Sequence, residues 1–311
     1  METLTRRESL AALAAAAHAA AAAGTKPVFD AHVHIWSGDY ARYPLATGFT
    51  AKDLEPIPSF TVEELLRHAK PAGVTMINLV QMTWYGLDHR YMLDVIGQHP
   101  KMFVGTGIVP AYSTAALPSP DRTMVELSKG GIYAFRLTGR RHAPGVGPQW
   151  MDHPGYETMF TAAARHNLAL SFLINPDDLP EVDRMCTRHP EAPVIIDHIC
   201  RIGSSGQIEE DAVAALCRMA KHKRVLLKVG AYYAFGAKRA PYTDLLPLIR
   251  RVVTAFGPDR CMWESDSPYQ VQKPHTYSAS VALIRDHADF LSASDKEQIL
   301  FGTAHRFFVR R

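Results

Sequence analysis

The sequence predicts an α/β protein built as one (β/α)8 TIM-type barrel domain, and three observations predict it. Eight near-continuous apolar runs, at 28–34, 73–81, 102–109, 132–137, 168–174, 193–198, 225–230 and 260–266, are bounded by Gly and Pro. Strands buried on both faces of a parallel sheet read this way. Segments with helical punctuation separate the runs, and 311 residues hold eight such units at the usual barrel size, which favours closure over a doubly wound sheet.

The chain opens on Thr5-Arg6-Arg7-Glu8-Ser9-Leu10 and an Ala/Leu run to Ala23. A basic start, a weakly apolar stretch and small residues before a cleavage zone resemble a twin-arginine export signal, with Ser9 where Phe is usual and His18 inside the run. Residues 1–24 are expected to direct export to the periplasm, leaving 25–311 as the barrel; a cytoplasmic protein with an N-terminal extension is the alternative. The Ala-rich run argues against a stable membrane anchor, and no later run reaches spanning length.

In the first barrel run, Phe29-Asp30-Ala31-His32-Val33-His34-Ile35-Trp36, strand alternation puts Asp30, His32 and His34 on one face and Phe29, Val33 and Ile35 on the other. Two imidazoles and a carboxylate on a buried face call for a divalent metal or an ordered water network. Thr61-Val62-Glu63-Glu64 has capping-box spacing before the second run, and Ser294-Asp295-Lys296-Glu297 opens the last helix in the same way. Leu179-Pro180-Glu181 places Pro in a first helical turn. Long excursions at 37–60, 138–155, 231–243 and 267–278 follow runs one, four, seven and eight. In a barrel these are the loops at the C-terminal face, where substrate sites are built.

A hydrophobic content of 47 % with 21 % charged residues is ordinary for a globular chain, so a sizeable core is available. A net charge of +3 is too small and dispersed for nucleic acid; a small anionic molecule is the expected partner. Oligomeric state is left open, with a homo-oligomer among the options. Cys186, Cys200, Cys217 and Cys261 lack Cys-x-x-Cys spacing and read as reduced residues in or near the core.

Runs six and eight end Asp197-His198 and Trp263-Glu264-Ser265-Asp266-Ser267-Pro268, which brings His32, His34, His198 and Asp266 to one barrel mouth. Plain structural roles exist for each: a core histidine for His198, a turn cap for Asp266. Their convergence favours chemistry. Arg136 inside run four reads as an anchor for a substrate carboxylate, joined by Arg140 and Arg141 or with these two as a solvated loop pair. Gln81, Trp36, Tyr85 and Tyr269, with Trp84, His89 and Tyr232, are expected to shape the substrate space or plug the core. His99, His153, His189, His222 and His275 read as solvated.

Phe29-Asp30-x-His32-x-His34-x-Trp36, Asp197-His198 and Trp263-x-Ser265-Asp266-x-Pro268, with Asn78-Leu79-Val80-Gln81 and Ile299-Leu300-Phe301-Gly302-Thr303-Ala304, resemble the amidohydrolase superfamily. The resemblance is to its branch of lactone hydrolases and spans about Val28 to Phe308. It implies a hydrolase that opens a small lactone, carboxylated or sugar-derived. Asp266 would be general base, His198 would stabilise the oxyanion, and His32, His34, His198 and Asp266 would hold one zinc or manganese ion. The branch also contains metal-free lactonases. Run five offers no His and run four no bridging Lys or Glu, which argues against a binuclear site. Glu264 stands where Gly is usual, and an ion pair with Lys228 or Arg136 is expected, with an added metal ligand as the alternative. A metal-dependent decarboxylase of an aromatic or unsaturated acid is the alternative enzyme. A barrel that binds a ligand without turnover is the alternative outside catalysis.

Overall fold

The computed structural model describes residues 26–111, 118–139 and 149–309. The leader, including Arg6 and Arg7, and the loop residues Arg140 and Arg141 lie outside the described residues.

All eight apolar runs form strands: β1 (Val28–Val33), β2 (Val74–Val80), β3 (Phe103–Gly107), β4 (Ile132–Thr138), β5 (Ala169–Leu173), β6 (Val194–Ile196), β7 (Val225–Gly230) and β8 (Cys261–Glu264). They pair in parallel in chain order. At the mouth β1 meets the end of β8: Asp266 N donates to His32 O at 2.9 Å and His34 N to Ser267 O at 2.8 Å. These two bonds bring the histidine pair and the aspartate together, because the strand ends that close the barrel are the ones that carry them.

Between the strands run α1 (Val62–Ala69), α2 (Arg90–Gln98), α3 (Pro120–Lys129), α4 (Pro154–His166), α5 (Leu179–Arg188), α6 (Glu210–Arg218) and α7 (Leu246–Phe256). Three short helices close the chain: α8 (Tyr277–Ala282), α9 (Ala293–Glu297) and α10 (Thr303–Phe308). The Thr61 capping box forms as expected, Glu64 N donating to Thr61 Oγ1 and Thr61 N to Glu64 Oε2 at 2.7 Å. The box of α9 starts two residues earlier than expected, on Ser292 with Asp295. Ser292 lies three residues before Asp295, the spacing at which the carboxylate reaches back to the cap nitrogen.

Two apolar layers hold the barrel. The larger lies between sheet and helices; the smaller groups Phe29, Ala31, Val104, Ala134, Ala169, Ile195 and Met262 with Phe308 of α10, whose ring stacks on Phe29 at 5.9 Å between centroids. Strict alternation along β1 fails. The ladder with β2 shifts register between Asp30 and Val33, and such an irregularity re-aims side chains. Phe29 joins the smaller layer, and Asp30 turns to β8 and α8, accepting from Ser265 N at 2.9 Å and from Tyr277 Oη. Burial pushes the Asp30 carboxyl up to about 7. His32 and His34 alone carry the motif to the mouth.

The four cysteines are unpaired, Cys217 partly exposed and the others buried. No helix among the described residues is long and apolar enough to cross a membrane.

Candidate active site

A cavity of about 1030 Å³ opens at the C-terminal ends of the strands, lined by His34, Gln81, Arg136, His198, Tyr233, Asp266 and Tyr269 among others. His34 donates from Nδ1 to the Val80 carbonyl at 2.9 Å. A carbonyl only accepts, so the proton is on Nδ1 and Nε2 presents its lone pair. Burial depresses the His34 imidazole and keeps it neutral. That lone pair faces His32 Nε2 at 3.2 Å and Asp266 Oδ1 at 3.2 Å, and His32 Nε2 lies 3.7 Å from the same oxygen.

His198 is held differently. Its Nδ1 and its backbone N both reach Glu264 Oε1, at 2.7 and 3.1 Å. Burial opposes charge on the imidazole, yet the Glu264 and Asp266 carboxylates raise it above its usual value. Nδ1 is taken up by Glu264, and Nε2 faces the cavity 4.0 Å from Asp266 Oδ2. Burial likewise opposes ionisation of Asp266, but the His198 charge and the His34 contact hold its carboxyl well below the usual carboxylate range. Glu264, against burial and through His198 and His32, is held at about 2.

The Glu264 partner expected from the sequence, Lys228 or Arg136, is replaced by His198 and His32. Lys228 is fully buried and pairs with Asp197 Oδ1 at 2.9 Å, one strand over, which leaves Glu264 to the imidazoles.

Two buried carboxylate oxygens here have no hydrogen-bond partner, Glu264 Oε2 and Asp266 Oδ1. His32 Nδ1 lies 3.1 Å from Lys228 Nζ and 3.2 Å from Glu264 Oε2, and its Nε2 is turned towards His34 Nε2 and Asp266 Oδ1. Two imidazole nitrogens and an unpartnered buried carboxylate oxygen converge there, the donor set that a divalent cation takes. Separations of 3.2 to 3.7 Å match the edge of about 3.4 Å between ligands lying about 2.1 Å from a tetrahedral centre. Three donors with a fourth position open is the pattern of a catalytic rather than a structural site. His32, His34 and Asp266 therefore fit a single divalent ion. The expected fourth ligand, His198, forms a second such set of donors with His32 and Glu264, its Nε2 4.0 Å from Asp266 Oδ2.

Arg136 reaches the cavity from β4, its side chain 10 % exposed and its Nε 3.9 Å from Asp197 Oδ2 with no hydrogen-bond partner. Gln81 lines the wall, its amide fixed to Asp88 O at 2.7 Å. Tyr269 lies edge-on to His34 at 6.2 Å between centroids. Trp36 and Tyr85 stand away from the cavity lining. Trp36 is buried against Trp84 and donates to Ile57 O, and Tyr85 Oη accepts from Ser37 N. Both brace the excursion after β1, because loop backbone at the barrel edge needs partners.

His89 is likewise structural, accepting from Ile108 N on Nε2. His275 packs half-buried on Tyr242 and Tyr233 rather than standing in solvent, and His153 caps α4. The sequence reading named Tyr232 and missed Tyr233. Ala231, at the end of β7, adopts a left-handed φ of 56° that turns Tyr232 into the core and brings Tyr233 to the cavity, its Oη donating to Asp266 Oδ2 at 2.6 Å. Asp266 and His198 share this left-handed conformation, at φ of 60° and 54°. Strained backbone of this kind persists only where its surroundings fix it, and it clusters at functional sites.

A family model described as amidohydrolase matches residues 29–310. The chain belongs to this amidohydrolase family. Among its relatives is an L-fucono-1,5-lactonase from Burkholderia ambifaria, 27 % identical over 293 residues, covering 90 % of this chain and 94 % of that protein. Of solved structures, a probable 2-pyrone-4,6-dicarboxylic acid hydrolase from Acinetobacter baumannii with citric acid bound superposes with a TM-score of 0.72 at 19 % identity, over 90 % of this chain and 98 % of that one. An amidohydrolase from Burkholderia multivorans with bound zinc superposes with the same TM-score, 0.72, at 18 % identity, over 91 % and 99 %. The family match covers the eight strands of this amidohydrolase from Phe29 onward and every residue named at its mouth.

Proposed function

We propose that this amidohydrolase opens the ring of a small lactone, carboxylated or sugar-derived, with water activated by Asp266. The observation that carries the reading is the Asp266 carboxylate itself: ionised, facing a large cavity, with Oδ1 unpartnered and Oδ2 held by Tyr233. The L-fucono-1,5-lactonase relative supports an ester carbonyl as the group attacked.

His32 Nε2, His34 Nε2 and Asp266 Oδ1 would hold one zinc or manganese ion, which when bound supplies Lewis acidity at the carbonyl and at water. Asp266 Oδ2 takes a proton from water as the oxygen adds to the carbonyl carbon. His198 donates its Nε2 proton to the oxyanion, with Glu264 fixing ring and charge from behind. Arg136 offers its guanidinium to a substrate carboxylate or hydroxyl pair, and Gln81 and Tyr269 bound the space. Arg140 and Arg141 follow β4 directly in the chain and are proposed as further anchors.

Ring opening turns a neutral ester into an acid, so each turnover releases a proton at neutral pH. A panel of sugar lactones, muconolactones and pyrone carboxylates followed with a pH indicator is expected to show turnover on at least one class. Chelation should lower kcat/KM by about 10²-fold, as fits loss of a Lewis acid worth several kcal/mol, and added zinc should restore it. Silence across the panel rejects the lactone reading; full activity in chelator rejects the ion and leaves Asp266 in its role.

Residues 1–24 are proposed to export the folded enzyme to the periplasm, on the Arg6-Arg7 pair and the Ala-rich run that follows it. Arg6→Lys with Arg7→Lys should trap precursor in the cytoplasm on fractionation; unchanged periplasmic recovery rejects that route.

A further inference from the structure

Tyr233 is fixed by its ring and turns its hydroxyl to the site. The ring stacks on Tyr269 at 6.1 Å between centroids and meets His275 edge-on at 6.1 Å, and His275 is itself bonded to Tyr242 Oη at 2.8 Å. Only the hydroxyl is engaged with the site, donating to Asp266 Oδ2 at 2.6 Å.

The Asp266 carboxylate has one task at the attacking water and a second at the leaving oxygen, which lies on a different side of the carbonyl carbon. An alkoxide is about as basic as hydroxide and is expelled slowly without a proton, whereas a phenolate, with a conjugate acid of pKa about 10, leaves without one. His198 is badly placed to pass the proton on: its Nε2 lies 4.0 Å from Asp266 Oδ2, beyond hydrogen-bond reach. Tyr233 is within reach, and it lengthens the carboxylate's reach along the cavity wall by one O–H···O link.

Building on the lactone reading above, we propose that Tyr233 is a catalytic residue that relays the proton from Asp266 to the leaving ring oxygen, and that the site suits lactones whose leaving group is an aliphatic alkoxide. The steps balance. An O–H bond of water breaks, its proton going to Oδ2 of Asp266, and the oxygen bonds the carbonyl carbon. The ring C–O bond then breaks with its electron pair on the ring oxygen, which takes the Tyr233 proton. The tyrosinate takes the proton from Oδ2, and both side chains return to their starting states. Lactone plus water gives one hydroxy acid.

The test compares Tyr233→Phe with wild type on two probes, an aldono-1,5-lactone (alkoxide leaving group) and dihydrocoumarin (phenolate leaving group). The relay predicts a fall in kcat of about 10²-fold on the sugar lactone, within the range of general-acid catalysis, and less than about threefold on dihydrocoumarin. A ring that only braced Asp266 would slow both alike, and that result, or an unslowed sugar lactone, overturns the relay. Wild-type proton inventories in mixed H2O and D2O give a second readout that needs no folded variant. Curvature on the sugar lactone with a linear plot on dihydrocoumarin supports the relay; linear plots on both overturn it. Wild type idle on both probes and on the wider panel overturns the lactone reading, and the relay falls with it.

Discussion

Asp266→Asn lowers kcat/KM by about 10³-fold on whichever lactone the wild type opens, in the range expected for loss of a general base. The amide has nearly the same volume, and its oxygen can still accept from Tyr233 Oη, the bond that holds the carboxylate at 2.6 Å. The main-chain bond from Asp266 N to His32 O, which closes the barrel at the mouth, is untouched. The variant should therefore fold with an unchanged circular dichroism spectrum and a thermal midpoint close to that of wild type. What it loses is the charge that accepts the water proton. More than a tenth of wild-type activity in a folded Asp266→Asn protein would remove the carboxylate from the mechanism. A binding protein without turnover predicts a further pattern, an unaltered biological role in the same variant, so complementation by Asp266→Asn distinguishes the two classes.

Lys228→Met destabilises the fold by about 3 to 5 kcal/mol, the cost of leaving a buried charge without its partner. Lys228 is buried within β7 and lies 2.9 Å from Asp197 Oδ1. Asp197 keeps Ser171 Oγ as a donor at 2.8 Å, but no other described cation comes closer than Arg136, at 3.9 Å. Burial alone raises the Asp197 carboxyl, and the Lys228 charge carries it well below the usual range. Because the folded pKa is depressed, the stability it contributes is present above the unfolded value and lost as pH falls through the folded one. Removing Lys228 leaves burial to raise the folded pKa, so Asp197 takes up a proton in the folded variant as pH falls and the deficit against wild type should narrow in acid. Urea denaturation at neutral and acid pH measures both effects. Adding Asp197→Leu should recover part of the loss, since the two sites share one interaction and their effects do not add; equal midpoints for Lys228→Met and wild type would sink the account.

The barrel was legible in the sequence because both-face burial imposes a simple rule on each strand. Each of the eight apolar runs contains a strand, and pairing follows chain order. The convergence of His32, His34, His198 and Asp266 was legible for the same reason: each follows or ends a strand whose direction the parallel sheet fixes. Other features had weaker signals. Strict alternation placed Asp30 beside the histidines, but a register shift in β1 sends it to Ser265 and Tyr277. Trp36 and Tyr85 had the composition of a binding wall, yet their polar atoms are spent on loop backbone. Between Tyr232 and Tyr233 the sequence carries no preference; the left-handed turn at Ala231 chooses.

By itself, then, the sequence determined the architecture, the family and the set of side chains at the mouth, because hydrophobic period and strand order are local properties summed along the chain. Only the tertiary structure decided what each of those side chains is bonded to. Glu264 accepts from His198 across 66 positions, Lys228 goes to Asp197 rather than to Glu264, and His34 donates to the Val80 carbonyl. Those pairings set which ring nitrogen of each histidine is spent on the protein and which is left to the site. Hydrogen-bond partners in a closed barrel come from strands far apart in sequence, and their choice depends on distances of a few tenths of an ångström that no residue pattern encodes.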